Sequence, residues 1–245
     1  MGEGHLEETA GMSAQAAPVA YEKGPQDYWL SPKFCGRYTL NAVNTIRDNP
    51  GTYTFNLQAM MALLQGIQYL SEAPTAILDV GCGPSMRSLD LKAKLGCRVV
   101  GVDYSPHMIS QAQSINQMLP EDRRVELQQA DAAALPYADG EFDAVTAYGL
   151  FMSIPEPLPA IRDMLRVVKH GIVCIEETQD VMTGEAMTHY ADVRDNKFPG
   201  RIYHHSYNRL FYLAGASNWS VTPLPVNENW DMGRPPCYAR YIVCR

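Results

Sequence analysis

Hydrophobic positions along the chain follow two alternating spacings, which predict helices separated by short strands. Residues 56–70 place apolar side chains three and four positions apart, the spacing of one face of an amphipathic helix. Short unbroken apolar runs follow, and runs of this length bounded by turn residues are typical of strands buried on both faces. The five runs predicted as core strands are residues 76–80, 98–102, 125–128, 142–147 and 171–176.

Helical patterns connect these predicted strands. Residues 85–95 are helical in pattern and end at Gly96, a residue that readily adopts the left-handed backbone found at helix C-termini. The next helix begins at Ser105-Pro106, where a hydroxyl can cap the first turn and proline fits the first helical position. Residues 157–168 form a third helical pattern. Strands that alternate with helices predict an α/β fold with a Rossmann-like, doubly wound, mostly parallel sheet.

The alternation weakens after the fifth strand. Residues 181–195 and 206–214 have helical patterns, the second with Ser206 as a candidate N-cap. Residues 219–226 and 238–245 are predicted as two further strands. We therefore predict a seven-stranded sheet with an antiparallel C-terminal strand.

Composition shifts along the chain predict its domain organisation. Residues 1–20 are rich in Gly, Ala and Glu without a hydrophobic period, which predicts a disordered tail or a remnant of an expression vector. Residues 21–245 are expected to form a single domain. Within it, we expect an N-terminal helical cap or lid at residues 21–70, a core at 75–176, and the substrate side with the C-terminal strands at 177–245.

The overall composition is that of an ordinary globular protein, with 46% hydrophobic and 19% charged residues. The net charge is −7 and no run of Lys or Arg occurs, which disfavours a nucleic-acid partner because phosphate contacts need a basic surface. No apolar stretch reaches the length of a membrane span, so we expect a cytoplasmic protein without a membrane partner. The six cysteines include no CxxC pair, which argues against a disulfide framework and against a zinc site.

The loop after the first predicted strand, residues 79–85, carries the first candidate chemistry. Its glycines, Gly81 and Gly83, allow the backbone to turn tightly and to approach a ligand without an intervening Cβ atom. Asp103 closes the second strand, where its carboxylate can accept hydrogen bonds from a ribose diol. A dinucleotide fingerprint would need a third glycine where Met86 stands, so a nicotinamide cofactor is the less favoured alternative.

Four segments in order resemble those of the class I S-adenosylmethionine-dependent methyltransferases, most of all the branch with ubiquinone-type and small-molecule enzymes. They are residues 78–85, 101–113, 129–145 and 161–171. The resemblance covers roughly residues 75–176. It does not extend to the first seventy residues or the last sixty, which in this family select the substrate.

The resemblance implies S-adenosyl-L-methionine as cofactor and S-adenosyl-L-homocysteine as its product. The loop residues would line the methionine and ribose, Asp103 would bind the ribose hydroxyls, and Tyr104 would lie against the adenine. Asp131, with Ala132 beside it, would meet the adenine amino group, and Tyr148 would border the methionine end. The full implied set is Asp79, Gly81, Cys82, Gly83, Asp103, Tyr104, Asp131, Ala132 and Tyr148. As alternatives, Asp131 could cap a turn and Tyr148 could pack in the core.

Catalytic residues are harder to assign, because residues 150–154 replace a run that often contains a histidine in this family. The candidates for contact with the acceptor are His204 and His205, in a cluster of tyrosines, and Tyr28 in the predicted lid. Other possible bases are His189, Glu177 and Tyr21. Adjacent histidines cannot both face one point on a regular element, so no metal is expected.

The resemblance implies transfer of a methyl group to O, N or C of a small-molecule acceptor in secondary or peripheral metabolism, such as natural-product biosynthesis. The same fold also admits a non-methylating reaction in which the sulfonium charge stabilises a transition state. A non-catalytic binding subunit and a nicotinamide oxidoreductase are further alternatives. We expect a monomer or a homodimer.

Overall fold

The computed structural model describes residues 25–48, 50–178, 189–195, 198–224 and 237–245. The described strands are β1 (Ala76–Val80), β2 (Arg98–Asp103), β3 (Glu126–Gln129), β4 (Phe142–Tyr148), β5 (Val168–Thr178), β6 (His189–Asp195), β7 (Phe198–His204), β8 (Asn218–Leu224) and β9 (Cys237–Cys244). The described α-helices are α1 (Pro25–Trp29), α2 (Pro32–Asp48), α3 (Pro50–Leu70), α4 (Met86–Leu95), α5 (Pro106–Gln117), α6 (Leu158–Val167) and α7 (Tyr207–Ala214). The predicted tail at residues 1–20 lies outside the described residues.

Seven of the strands form one sheet in the order β3-β2-β1-β4-β5-β9-β8. Strands β1 to β5 pair in parallel, whereas β9 is antiparallel to both β5 and β8. The predicted fold class, with its antiparallel C-terminal strand, is confirmed. The carboxyl ends of β1, β2, β4 and β5 therefore meet along one edge, which is where open α/β sheets bind their ligands.

Burial on both faces of the sheet explains the unbroken apolar runs in the sequence. Along β5, Ile172 and Cys174 pack towards α6 and α7, while Val173 and Ile175 pack towards α3. Helix α3 approaches the sheet closely at Gly66, where a Cβ atom would lie 2.5 Å from Val173 Cγ1. A larger residue at this position would push α3 away from the sheet.

The C-terminal part of the chain both confirms and corrects the prediction. The helix at 206–214 is present as α7, although the Ser206 side chain makes no capping hydrogen bond. The helix predicted at 181–195 is wrong where the structure describes it, because residues 189–195 form β6. This strand pairs antiparallel with β7 in a separate two-stranded sheet. Pairing with a neighbouring strand overrides a weak local pattern; residues 181–188 lie outside the described residues.

Candidate cofactor and acceptor site

The glycine loop between β1 and α4 is held by the end of β2. The backbone N–H groups of Gly81 and Cys82 both donate to the carbonyl oxygen of Val102, at 2.8 and 2.9 Å. Gly81 has φ +71°, and a Cβ atom there would lie 2.8 Å from Leu150 Cδ1. Gly83 has φ +53°, and a Cβ atom there would meet nothing within 4 Å. Gly81 is thus needed for packing, whereas Gly83 presents bare backbone to open space.

Asp103 fastens this loop to the start of α5. Its Oδ2 accepts a hydrogen bond from the Gly83 N–H at 2.9 Å, and its Oδ1 accepts one from the Ser105 N–H at 2.8 Å. Burial raises the pKa of the Asp103 carboxyl, and these two N–H groups oppose the shift. Because a carboxylate offers about four acceptor positions, capacity remains for a ribose diol.

Asp79 lies beneath the loop. The side chain is only 4% exposed. Its Oδ2 accepts a hydrogen bond from Ser88 Oγ at 2.6 Å, and its Oδ1 accepts one from Thr146 Oγ1 at 2.9 Å. Burial raises the pKa of this carboxyl. Its oxygens thus join β1 to α4 and β4, and a contact of Asp79 with the cofactor stays a prediction.

Ser85 was not singled out from the sequence, yet it is the most unusual residue of the loop. Among the described residues it is the one non-glycine with positive φ, at 64°. Its hydroxyl is fully buried and has no hydrogen-bond partner within the described part of the chain. It precedes the first turn of α4, where backbone N–H groups have no intrahelical acceptor. A buried, unpartnered hydroxyl at this point offers a polar contact to a ligand.

The residues predicted to contact adenine follow β2 and β3. Tyr104 is about half exposed, and Ala132 is buried. Asp131 is exposed, and its Oδ1 accepts a hydrogen bond from the Ala133 N–H at 2.9 Å. The turn-capping interaction of Asp131 is thus present, and contacts of Tyr104, Asp131 and Ala132 with adenine stay predictions. The Ala130 N–H donates to the Asp103 carbonyl oxygen at 3.1 Å, which places these residues beside Asp103, the residue predicted to bind the ribose.

Tyr148 at the end of β4 lies under a cation that sequence reasoning missed. The guanidinium carbon of Arg87 is 3.4 Å from the centre of the Tyr148 ring, and Arg87 Nη2 donates to Asn56 Oδ1 at 3.3 Å. Tyr148 also stacks with Tyr238, with 6.5 Å between ring centres. A cation in the first turn of a helix opposes the helix dipole. The unfavourable position of Arg87 in the first turn of α4 could have indicated, from the sequence alone, that other contacts stabilise it.

Helices α1 and α2, which belong to the predicted lid, contact the elements around this edge of the sheet. Trp29 Nε1 donates to Ser153 Oγ at 3.3 Å, and Thr39 Oγ1 donates to Gln111 Oε1 at 2.5 Å. The buried Cys35 thiol lies 3.6 Å from Ser105 Oγ, at the start of α5. These contacts connect α1 to the turn after β4 and α2 to α5.

His205, one of the catalytic candidates from the sequence, is buried and hydrogen-bonded to the backbone. His205 Nε2 lies 3.0 Å from the carbonyl oxygen of Phe151 and 2.9 Å from that of Ile154. Two carbonyl acceptors require this nitrogen to donate, and burial lowers the pKa of His205. Its Nε2 therefore holds the turn after β4, and a catalytic role of His205 stays a prediction.

The other candidates stay predictions or lie outside the description. Tyr28 is half-buried in the lid, with its ring centre 5.5 Å from that of Phe34. The backbone of His204 pairs with His189 across β6 and β7. The side chains of both histidines, and all of Tyr21, lie outside the described residues.

Two carboxylates end β5 and lie on opposite faces of the sheet. Glu176 is fully buried, and its Oε1 accepts hydrogen bonds from the N–H groups of Leu150 and Phe151, at 2.9 and 3.2 Å. Its Oε2 accepts one from the Tyr207 hydroxyl at 3.4 Å. Burial raises the pKa of Glu176 to about 8, against these donors. Glu176 thus shapes the turn that lacks the family's histidine, a role the sequence alone did not suggest.

Glu177 is directed to the other face, towards Tyr238. The Tyr238 hydroxyl is 3.5 Å from Glu177 Oε2, and burial raises the pKa of this carboxyl to about 7. Within the described residues, no cluster of His, Cys, Asp and Glu could hold a metal ion, and no helix is long and apolar enough to cross a bilayer.

Comparison with known proteins agrees with this geometry. Residues 78–175 match a family described as a methyltransferase domain. This segment of the chain is similar to a methyltransferase domain. The match spans β1 to β5 and includes the glycine loop, Asp103 and Tyr148.

Curated relatives of this segment include two bacterial demethylmenaquinone methyltransferases. The one from Oceanobacillus iheyensis is 36% identical over 124 residues, which cover 49% of this chain and 51% of the relative. The one from Desulfitobacterium hafniense is 32% identical over 112 residues, 44% of each chain. The chain thus spans about half the length of the curated relatives it matches.

A solved structure shows the same fold over most of the chain. Magnesium protoporphyrin IX methyltransferase from Synechocystis PCC 6803, crystallised with S-adenosylmethionine, aligns with a TM-score of 0.61. The alignment covers 93% of this chain and 99% of that one at 16% identity, a level at which only the fold is shared.

Proposed function

We propose that the protein transfers a methyl group from S-adenosylmethionine to a small-molecule acceptor in secondary or peripheral metabolism. The observation that carries the proposal is the meeting of three features at one edge of the sheet. They are the open backbone at Gly83, the Asp103 carboxylate beside it, and the aromatic and cationic surface at Tyr148 and Arg87.

The described residues fit the cofactor. Gly83 leaves space for a ligand against the backbone, Asp103 retains acceptor capacity for hydroxyl groups, and Ser85 has a buried hydroxyl without a partner in the described chain. When bound, S-adenosylmethionine supplies an electrophilic methyl group on a sulfonium. The protein's own contribution is to bind, to orient the acceptor, and to exclude water beneath the lid.

The acceptor surface favours a hydroxylated aromatic molecule. Trp29 and Tyr38 pack edge to face in the lid at 5.0 Å, and Tyr148 stacks with Tyr238 at the sheet edge. Ring faces bind flat aromatic molecules well, and the Arg87 guanidinium attracts a phenolate or quinolate oxygen. The printed names of the curated relatives, which are demethylmenaquinone methyltransferases, support an acceptor of the quinol type.

Calorimetry with S-adenosylhomocysteine, followed by incubation with methyl-labelled cofactor, tests the proposal. The acceptor probes are a demethylated naphthoquinol, a simple phenol and a primary amine, and label should appear in the naphthoquinol product. Asp103→Ala should weaken S-adenosylhomocysteine binding by about tenfold or more, because it removes charge-assisted hydrogen bonds. Asp122→Ala, which removes an exposed carboxylate, is the matched control.

Two results would contradict the proposal. One is a rise in melting temperature with NAD but not with S-adenosylhomocysteine, since only a bound ligand shifts the unfolding equilibrium. The other is tight binding of S-adenosylhomocysteine without a labelled product from any probe or from a metabolite extract.

A further inference from the structure

A chain of contacts connects the end of β5 to the glycine loop. Glu177 lies opposite Tyr238 in the β5–β9 ladder, and the Tyr238 hydroxyl is 3.5 Å from Glu177 Oε2. The Tyr238 ring stacks on the Tyr148 ring, and Arg87 lies over the Tyr148 ring. Arg87 is two residues beyond the glycine loop. Glu177 is therefore at the same edge of the sheet as the cofactor loop, and Tyr238, Tyr148 and Arg87 connect the two.

The two glutamates at this edge differ in how their oxygens are used. Glu176 accepts from two backbone N–H groups and from Tyr207, so its oxygens are engaged inside the protein. Within the described residues, the hydrogen bond to Glu177 is the long one from Tyr238. Glu177 is half-buried and keeps acceptor capacity that a ligand can use.

We infer that Glu177 is the catalytic residue that accepts the proton of the methyl acceptor. This inference rests on the proposed function. The hydroxyl O–H bond of the acceptor breaks and its proton moves to the Glu177 carboxylate. The electron pair left on the acceptor forms the new bond to the methyl carbon, at oxygen in a phenol or at the conjugated ring carbon in a naphthoquinol. That bond replaces the donor's S–CH3 bond, whose electron pair stays on sulfur, so the products are the methylated acceptor, a neutral thioether and a carboxylic acid.

The surroundings of Glu177 support a proton-accepting role. The ionisable group that faces it is Tyr238 on β9, while Glu176 on its own strand and Tyr207 on α7 lie on the other face of the sheet, and Tyr148 and Tyr38 lie beyond Tyr238. None of these carries a positive charge, so burial dominates and the carboxyl titrates near pH 7. A base with this affinity for protons is well matched to neutral pH.

The test compares wild type with Glu177→Gln, Glu177→Asp and the control Glu72→Gln, which changes an exposed carboxyl. Each protein is first titrated with S-adenosylhomocysteine, and the three variants should bind it within about twofold of wild type. Turnover of the demethylated naphthoquinol should then fall about 100-fold or more in Glu177→Gln, as expected for loss of a general base. Its rate should also lose the rise through about pH 7 that wild type and the control show. Glu177→Asp should retain that rise, at a lower rate.

A second readout does not depend on turnover. Carbon-13 NMR of glutamate-labelled protein should show a carboxyl that titrates near pH 7 and is absent from Glu177→Gln. The Glu176→Gln spectrum identifies the neighbouring carboxyl. An unchanged rate and pH profile in Glu177→Gln, or a Glu177 carboxyl that titrates in the ordinary range, would overturn the inference. If wild type binds S-adenosylhomocysteine but methylates no probe, the proposed function fails and the NMR titration alone decides the protonation of Glu177.

Discussion

The Nε2 atom of His205 lies 2.9 Å from the carbonyl oxygen of Ile154 and 3.0 Å from that of Phe151. This bifurcated hydrogen bond fixes the turn after β4 against the start of α7. His205, one of the catalytic candidates from the sequence, thus has a structural contact that accounts for its burial.

Replacing His205 distinguishes this structural role from a catalytic one. His205→Ala should lower the free energy of unfolding by about 1–3 kcal/mol, because two buried carbonyl groups lose their donor. Turnover per folded molecule should change much less than in Glu177→Gln. Chemical denaturation and the initial rate, measured on the same preparation, check both statements. A loss of about 100-fold in rate at unchanged stability would support His205 as a base.

Ser85 leads to a prediction in which stability and binding change in opposite directions. Ser85→Gly should raise the free energy of unfolding by about 1 kcal/mol, because glycine tolerates positive φ and leaves no buried unpaired hydroxyl. S-adenosylhomocysteine binding should weaken severalfold if the hydroxyl contacts the ligand. Ser85→Ala is the matched control, since it removes the hydroxyl but keeps the backbone strain. Equal affinity in all three proteins would show that the hydroxyl has no ligand contact.

Glu176 makes stability depend on pH. Its pKa is raised from an ordinary 4.5 to about 8 by burial, so the folded protein binds more protons than the unfolded chain between those values. The free energy of unfolding should therefore be highest near the lower value and should fall, by up to a few kcal/mol, as the pH rises through the window. Glu177, with its pKa raised to about 7, adds a fall of the same sign.

Glu176→Gln is the variant that isolates this effect. Glutamine keeps an oxygen for the Leu150 and Phe151 N–H groups but carries no titrating proton. Urea unfolding at several pH values from about 5 to about 8 should show a flatter profile than wild type. A profile as steep as that of wild type would exclude Glu176 as the source.

The sequence predicted those parts of the site that depend on local order along the chain. Gly83 and Asp103 lie at the ends of neighbouring strands, and this follows from the alternation of strands and helices. The contact of Arg87 with Tyr148 joins residues on different elements, so it depends on how α4 packs against β4. The role of Glu176 depends on its contact with the turn that follows β4, and no local sequence pattern predicts that contact.

The helix predicted over residues 189–195, which form β6, was wrong for the same reason. Its residues have no strong preference of their own, and their conformation is set by pairing with β7. The direction of Glu177 follows from simple alternation along β5, but whether its oxygens were already engaged required the position of β9.

The buried thiol of Cys35 reports on the lid. Cys35 lies on α2, is fully buried, and has its thiol against the start of α5. Burial raises the pKa of this thiol, so little thiolate is available for alkylation while the predicted lid is closed. Alkylation should require opening of the lid, and S-adenosylhomocysteine should slow it about tenfold or more if the ligand stabilises the closed state. Mass spectrometry after timed exposure to iodoacetamide measures the rate at each cysteine. Cys244, which is partly exposed at the end of β9, is the internal control and should react at the same rate with and without the ligand. Equal protection of both cysteines would indicate global stabilisation, and no protection of Cys35 would show that the ligand binds without the lid.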